Sequence, residues 1–481
     1  MNLPSARAAA LVLLLGLVAC ISPAPVPQVD FSGIMRPLAD CRALYAEVDA
    51  RVAAAGVQHP AYHRVPGFPY LRSDRLIASY RHEVDDIDQL GAWTRRMREM
   101  DQEARDYELR NLNLPRQERA DLHGRMHSCG YGLVSLELQQ PEVLERLKTA
   151  VMPPEEHAGG ARALGLLPLT SPLIRQGWER RAKAVSQRFD EAASTVPPPH
   201  ITVWHPLRSI AAHWQPQAFD TLPEDPLGFP GLITTAWQAL VEAHAPQLWL
   251  TATDRQPGHP VLQNGAWDVS AGEPVVHYQI AFTRFGDAPL VQIIYFIWSR
   301  SPQGPEMMQW RVTLDRQGEA LLYDSLHPAD GVPLWFPVQT LTRRTDASPA
   351  PLLIPQTQAV GGRPALQLGG ARNLLLRIRD SRNTPNTYDR HSYRLAPFDL
   401  LYTLASDATE SALSTNLFLP DGRLRGSDDQ GIAWPWISGL PTDGAIHHFQ
   451  RQAMDPIRPL HYDDARLLEH WFEPPRPAPQ G

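Results

Sequence analysis

The stretch IHHFQRQAMDPIRPLHYDD, residues 446–464, brings His447, His448, His461, Asp463 and Asp464 close together in the chain. Imidazole and carboxylate donors suit zinc or another divalent metal such as iron or manganese. An ion left with open positions would activate water for hydrolysis. The spacing matches no established ligand signature. Asp463 and Asp464 equally suit the N-terminal cap of a helix beginning at Ala465, a role that needs no metal.

Other residues invite chemistry less strongly. His123 and His127 are four apart, the interval that places two ligands on one helix face, but no H-E-x-x-H supplies a general base. Glu306, Asp324, Ser325 and His327 surround a predicted hairpin, with His277 at the start of the hairpin before it. Ser325 and His327 are two apart at a strand end and can share a side. A nucleophile also needs a hydrogen-bonded base and an orienting carboxylate, and no G-x-S-x-G or S-x-x-K occurs. Trp204, Trp214, Trp249, Trp267, Trp434 and Trp436, among 13 tryptophans, suit stacking on sugars or peptides as well as filling cores.

The elements that would position these groups fall into two parts. Over residues 31–195 the apolar period is helical. Leu38, Cys41, Leu44, Tyr45, Val48 and Val52 form one face, and Ile87, Leu90, Trp93, Met97 and Met100 another. Pro115 and Pro141 suit the first turns of further helices, and an amphipathic run covers Ile174 to Ala193. From about 196 to 473 strand-like runs dominate. HYQIAFTRFGDAPLVQIIYFIWSRSP reads as a hairpin turning near Gly286, and Val291 to Trp298 is apolar on both faces, as a central strand covered twice would be. MMQWRVTLDRQGEALLYDSLH is a second hairpin, with Trp310, Val312 and Leu314 on one face and Gln309, Arg311 and Thr313 on the other. ARLLEHWF, 465–472, predicts a closing helix, and 474–481 a disordered tail. The fold class expected is α+β: a helical N-terminal part packed on a larger, mainly antiparallel β part.

Composition excludes several functions. A net charge of −7 offers no general attraction to nucleic acid. Lys148 and Lys183 are the only lysines among 45 basic residues. No G-x-x-x-x-G-K-[ST] phosphate loop exists, and neither lysine lies in a setting that would activate it as a Schiff base.

The N-terminus carries the most specific signal. Arg7, the apolar run Ala8 to Ala19 and small residues before Cys20 have the layout of a secretory signal over residues 1–19. The run is shorter than the roughly 20 residues that a membrane span requires. Leu17-Val18-Ala19-Cys20 resembles the lipobox of bacterial lipoproteins. That resemblance implies cleavage before Cys20, a diacylglyceryl thioether on its sulfur and acylation of the new amino terminus, so that several chains such as palmitate hold the protein to a membrane. Ile21 stands where an aspartate would resemble an inner-membrane retention signal, which points to the outer membrane. Residues 20–30, with Pro23, Pro25 and Pro27, then read as lipid anchor and stiff tether. With Cys20 used for attachment, Cys41 and Cys129 remain, an even number in an oxidising compartment, and predict a disulfide closing a loop of roughly 90 residues. PGFPYLRSDR, 66–75, is similar to a stretch in uncharacterised proteobacterial envelope proteins.

The expectation is therefore a cell-envelope lipoprotein with a non-catalytic binding or structural role. It needs no cofactor, and its partner would be a protein, glycan or lipid component near the outer membrane. The alternative is a periplasm-facing, metal-assisted hydrolase using residues 447–464.

Overall fold

A computed structural model describes residues 36–152, 167–194, 200–207, 224–251, 256–286, 288–338, 341–345, 351–354, 363–406, 413–427 and 448–474, apart from 452–453, 456–457 and 459. The signal, Cys20, the tether and the tail beyond 474 lie outside these residues.

The chain is α+β. Its N-terminal helices form where the apolar period predicts them: α1 (Arg36–Ala55), the short α2 (Arg75–Ser79), α3 (Ile87–Asn111), α4 (Arg116–Glu137) and α5 (Pro141–Ala150). Asp86 caps α3 by accepting the Asp88 and Gln89 amides, and Pro141 opens α5. These helices close over Val48, Phe68, Trp93, Met97 and Leu133, all fully buried. Each such side chain stabilises the fold by about 1.5–3 kcal/mol. The Cys41–Cys129 disulfide ties α1 to α4, with Cα atoms 5.2 Å apart. PGFPYLRSDR is more than a connection: β2 (Phe68–Ser73) pairs antiparallel with β1 (His63–Val65), and Asp74 caps α2.

The second part is built on an 11-stranded sheet. Its antiparallel meander contains β7 (Val275–Phe285), β8 (Ala288–Ser301), β9 (Gly304–Leu314), β10 (Ala320–Leu326) and β11 (Leu334–Pro337), in the two hairpins that alternation predicts. Parallel junctions extend it where distant strands meet: β15 (Asp389–Pro397) lies between β7 and β3 (Thr202–Pro206). The strand containing Val291 to Trp298 is covered twice. Ile293, Tyr295 and Ile297 face α6 (Leu167–Ser194) and α7 (Thr234–His244), whereas Ile294, Phe296 and Trp298 face the C-terminal segments. Helix α6 thus adds Trp178, Ala182 and Val185 to the core of the sheet. Residues 465–472 form only a single 3-10 turn, Leu467–His470, because Trp471 and Phe472 are drawn under the sheet, where Phe472 stacks on Trp335 and Trp471 meets it edge-on.

Among the described residues no helix is long and apolar enough to cross a membrane.

Candidate functional site

The C-terminal cluster lies on the seam between the helical unit and the sheet. Asp463 holds the Arg75 guanidinium of α2 at 3.1 Å, and Asp464 lies 3.8 Å from the same group. Asp464 also accepts the His461 amide at 2.9 Å. Between them Tyr462 points the other way, into the sheet. Its hydroxyl donates to Asp324, its carbonyl accepts from Arg311 at 2.7 Å, and its ring lies under the Arg311 guanidinium at 3.7 Å. One residue further, the Ala465 carbonyl accepts from the Thr283 hydroxyl at 3.0 Å. His448 sits elsewhere, wholly buried among Phe398, Phe418 and Phe449, with Nε2 2.8 Å from the Tyr402 hydroxyl and Nδ1 accepting the Gln450 amide. His447 lies outside the described residues. Among those described, no three histidine, cysteine, aspartate or glutamate side chains gather where one ion could be held.

The group around β9 and β10 divides between the two faces of the sheet, because successive strand residues alternate. Asp324 is buried against Arg311 at 2.7 Å on one face. Ser325 is on the other, paired in register with Trp310, and its hydroxyl has no hydrogen-bond partner among the described residues. His327 accepts the Ala329 amide on Nδ1 at 3.1 Å and turns Nε2 toward Glu306 at 3.8 Å. Glu306 already accepts from Arg372 Nε at 2.7 Å and the Ser301 hydroxyl at 3.1 Å. Both imidazole nitrogens are directed away from Ser325, so this arrangement does not make it a nucleophile. His277 is wholly buried, 5.2 Å from the ring of His259, and burial pushes its pKa down to about 3. His123 and His127 are exposed, with His123 2.7 Å from Asp106. Trp204, Trp249 and Trp267 are buried; Trp214, Trp434 and Trp436 lie outside the described residues.

A group that the sequence did not single out occupies the same seam. Glu103 projects from α3 and accepts the Tyr62 hydroxyl at 3.3 Å. Tyr107, one turn along the helix, packs against the 3-10 turn Phe398–Thr403 that carries Asp399. Beneath them, the Tyr402 ring lies 5.0 Å from Tyr107 and 4.4 Å from His59. Asn111 closes the floor by donating to the Tyr402 carbonyl at 2.8 Å. Burial, and then the nearby Asp399, push the Glu103 pKa up to about 7, and burial raises that of Asp399. Glu103 and Tyr107 have i, i+4 spacing, which marks one helix face. Nothing in the sequence links them to Asp399.

No known protein family, curated protein or solved structure matches the chain.

Proposed function

We propose that the protein is a lipid-anchored component of the cell envelope, held through Cys20 at the outer membrane, and that it works by binding a protein, glycan or lipid partner rather than by metal-assisted hydrolysis. The anchor rests on the resemblance of Leu17-Val18-Ala19-Cys20 to a lipobox, and the preference for binding over hydrolysis rests on the use made of residues 461–464. Asp463 and Asp464 neutralise Arg75, and Tyr462 reaches Arg311 and Asp324. This segment, the richest in metal-type donors, thus works as a latch between the two parts. A buried arginine deprived of its carboxylate costs several kcal/mol, so recruiting these aspartates to an ion would work against the fold.

The anchor is tested by labelling cells with an alkyne analogue of palmitate and fractionating their membranes. Wild-type protein is expected to carry label and to sediment with the outer membrane. Cys20→Ser is expected to lose the label and leave the membrane fraction. Equal membrane recovery of the two, without label, would overturn the anchor.

A further inference from the structure

We propose that the strip of sheet around Ser392 and His205 binds a phosphate monoester, held between the guanidinium groups of Arg390 and Arg394. This deepens the binding role proposed above and rests on it: the phosphate is the group that the partner presents.

The strip lies where β15 and β3 run parallel. Ser392 stands in register with His205, and Arg390 with Val203, so these side chains and that of Arg394 share one face. Trp204 and Tyr393 take the opposite face, within the core beneath α6 and α7. The strip has a wall on either side. Residues 381–388 cross over β4 (Gln247–Leu250), where Thr384 donates to Gln247 at 2.8 Å and the Tyr388 ring meets Trp249 edge-on at 5.6 Å. Opposite, the hairpin of β5 (His259–Gln263) and β6 (Ala266–Ser270) lies over β7 and β8. There Trp267 meets Trp298 edge-on at 5.6 Å, and the rings of His259 and His277 are 5.2 Å apart. Between the walls Arg390 and Arg394 are exposed, and Ser392 and His205 are half-buried.

The donors on this strip suit one anion. Strand residues rise about 3.3 Å each, so Arg390 and Arg394 start about 13 Å apart along β15 with Ser392 midway. Two long side chains placed so can fold inward from either end onto a group above the hydroxyl. Ser392 Oγ and His205 Nε2 are 3.0 Å apart in a hydrogen bond, which fixes both polar groups on the floor. A phosphate monoester carries nearly two charges and three oxygens at neutral pH. It can accept from two guanidinium forks and from the floor at once, whereas a carboxylate has two oxygens to offer.

The chain itself does little to neutralise these cations. Arg390 donates to the amide oxygen of Asn386 at 3.5 Å and forms no ion pair among the described residues. Arg394 meets Glu273 at 3.4 Å, but both side chains are exposed and such pairs contribute little. A phosphate would take the place of that carboxylate. Two residues beyond Arg394 on the same face, Ala396 stands in register with His277. His277 is wholly buried, and neither of its ring nitrogens has a hydrogen-bond partner. The strip thus ends on a polar group whose hydrogen bonds the chain does not supply.

Ligand-observed phosphorus NMR of the full chain in non-ionic detergent tests this at pH 7.5, with glucose 6-phosphate and dihexanoyl phosphatidic acid as probes. Saturable broadening of at least one is expected, with a Kd of roughly 1 mM or tighter. The better probe distinguishes a soluble phosphate ester from a lipid headgroup. Arg390→Gln and Arg394→Gln are each expected to weaken binding roughly tenfold, since each removes a charge-assisted contact. Glu273→Gln, which removes the competing carboxylate, is expected to tighten it about threefold. All three side chains are exposed, so the variants are expected to fold, as far-UV circular dichroism would show. No saturable binding of either probe, or wild-type affinity in both folded arginine variants, would overturn the site. Palmitate labelling at Cys20 is a separate readout, so failure of the anchor and failure of the phosphate site are told apart.

Discussion

Arg75 and Asp463 meet at 3.1 Å across the seam, although they come from nearly opposite ends of the described chain. Both are largely buried, at 7% and 13% side-chain exposure, so each neutralises a charge that the interior would otherwise penalise. Asp463→Ala is expected to cost about 2–4 kcal/mol of stability, because it strands a buried guanidinium. Replacing both partners by apolar residues of similar size, Arg75→Met with Asp463→Leu, should recover much of that loss. Urea unfolding of the two single variants and the double variant checks this. Additive losses would show that the contact carries no coupling.

The disulfide should stabilise the helical unit through its unfolded state. Cys41 and Cys129 are 88 residues apart, and the chain-entropy model assigns such a loop about 4.5 kcal/mol, often less in practice. The paired Cys41→Ser and Cys129→Ser variant is expected to unfold at lower urea than wild type in oxidising buffer. Under reducing conditions the two midpoints should converge.

On β2, Arg72 is fully buried, 2.6 Å from Glu108 and 3.1 Å from Asp101. Burial would raise the Glu108 pKa, but Arg72, Arg105 and the amide of His59 overcome that and hold it down to about 2, against 4.5 ordinarily. Its folded value lies below its unfolded one, so its stabilisation is whole above about pH 4.5 and is lost as pH falls toward 2. Asp101, pushed up by burial, works in the opposite sense. Glu108→Gln is expected to lower stability by on the order of 3 kcal/mol at pH 7, with the gap from wild type narrowing by pH 3. A gap independent of pH would contradict this assignment.

Gly130 on α4 leaves room for a tyrosine. A Cβ there would sit 2.7 Å from the Tyr45 hydroxyl, which donates to the Met126 carbonyl at 3.0 Å. Gly130→Ala therefore trades a gain in helix propensity for displacement of a buried hydrogen bond, and is expected to destabilise by about 1–2 kcal/mol. In a Tyr45→Phe background, where that hydroxyl is gone, Gly130→Ala should cost little, as thermal unfolding would show.

Local patterns account for what the sequence made legible. The faces through Leu38 and Ile87 became α1 and α3, and alternation around Trp310 separated an apolar face from one carrying Arg311. The parallel junctions of β15 with β3 and β7 left no such trace, because their partners are far apart in the chain. ARLLEHWF reads as a helix, yet burial of Trp471 and Phe472 outweighs helical continuity. The grouping of Glu103, Tyr107 and Tyr402 was illegible for a similar reason: it arises where a helix meets a distant turn, which one helix face cannot show.

Elemental analysis of the full chain, extracted in detergent without chelators or an affinity tag, separates a latch at residues 461–464 from a metal site there. Folded protein is expected without stoichiometric metal, and still without it after zinc or manganese is offered and the excess removed. Near-stoichiometric metal, lost in a folded His461→Ala and Asp463→Ala variant, would contradict the latch and restore the hydrolase.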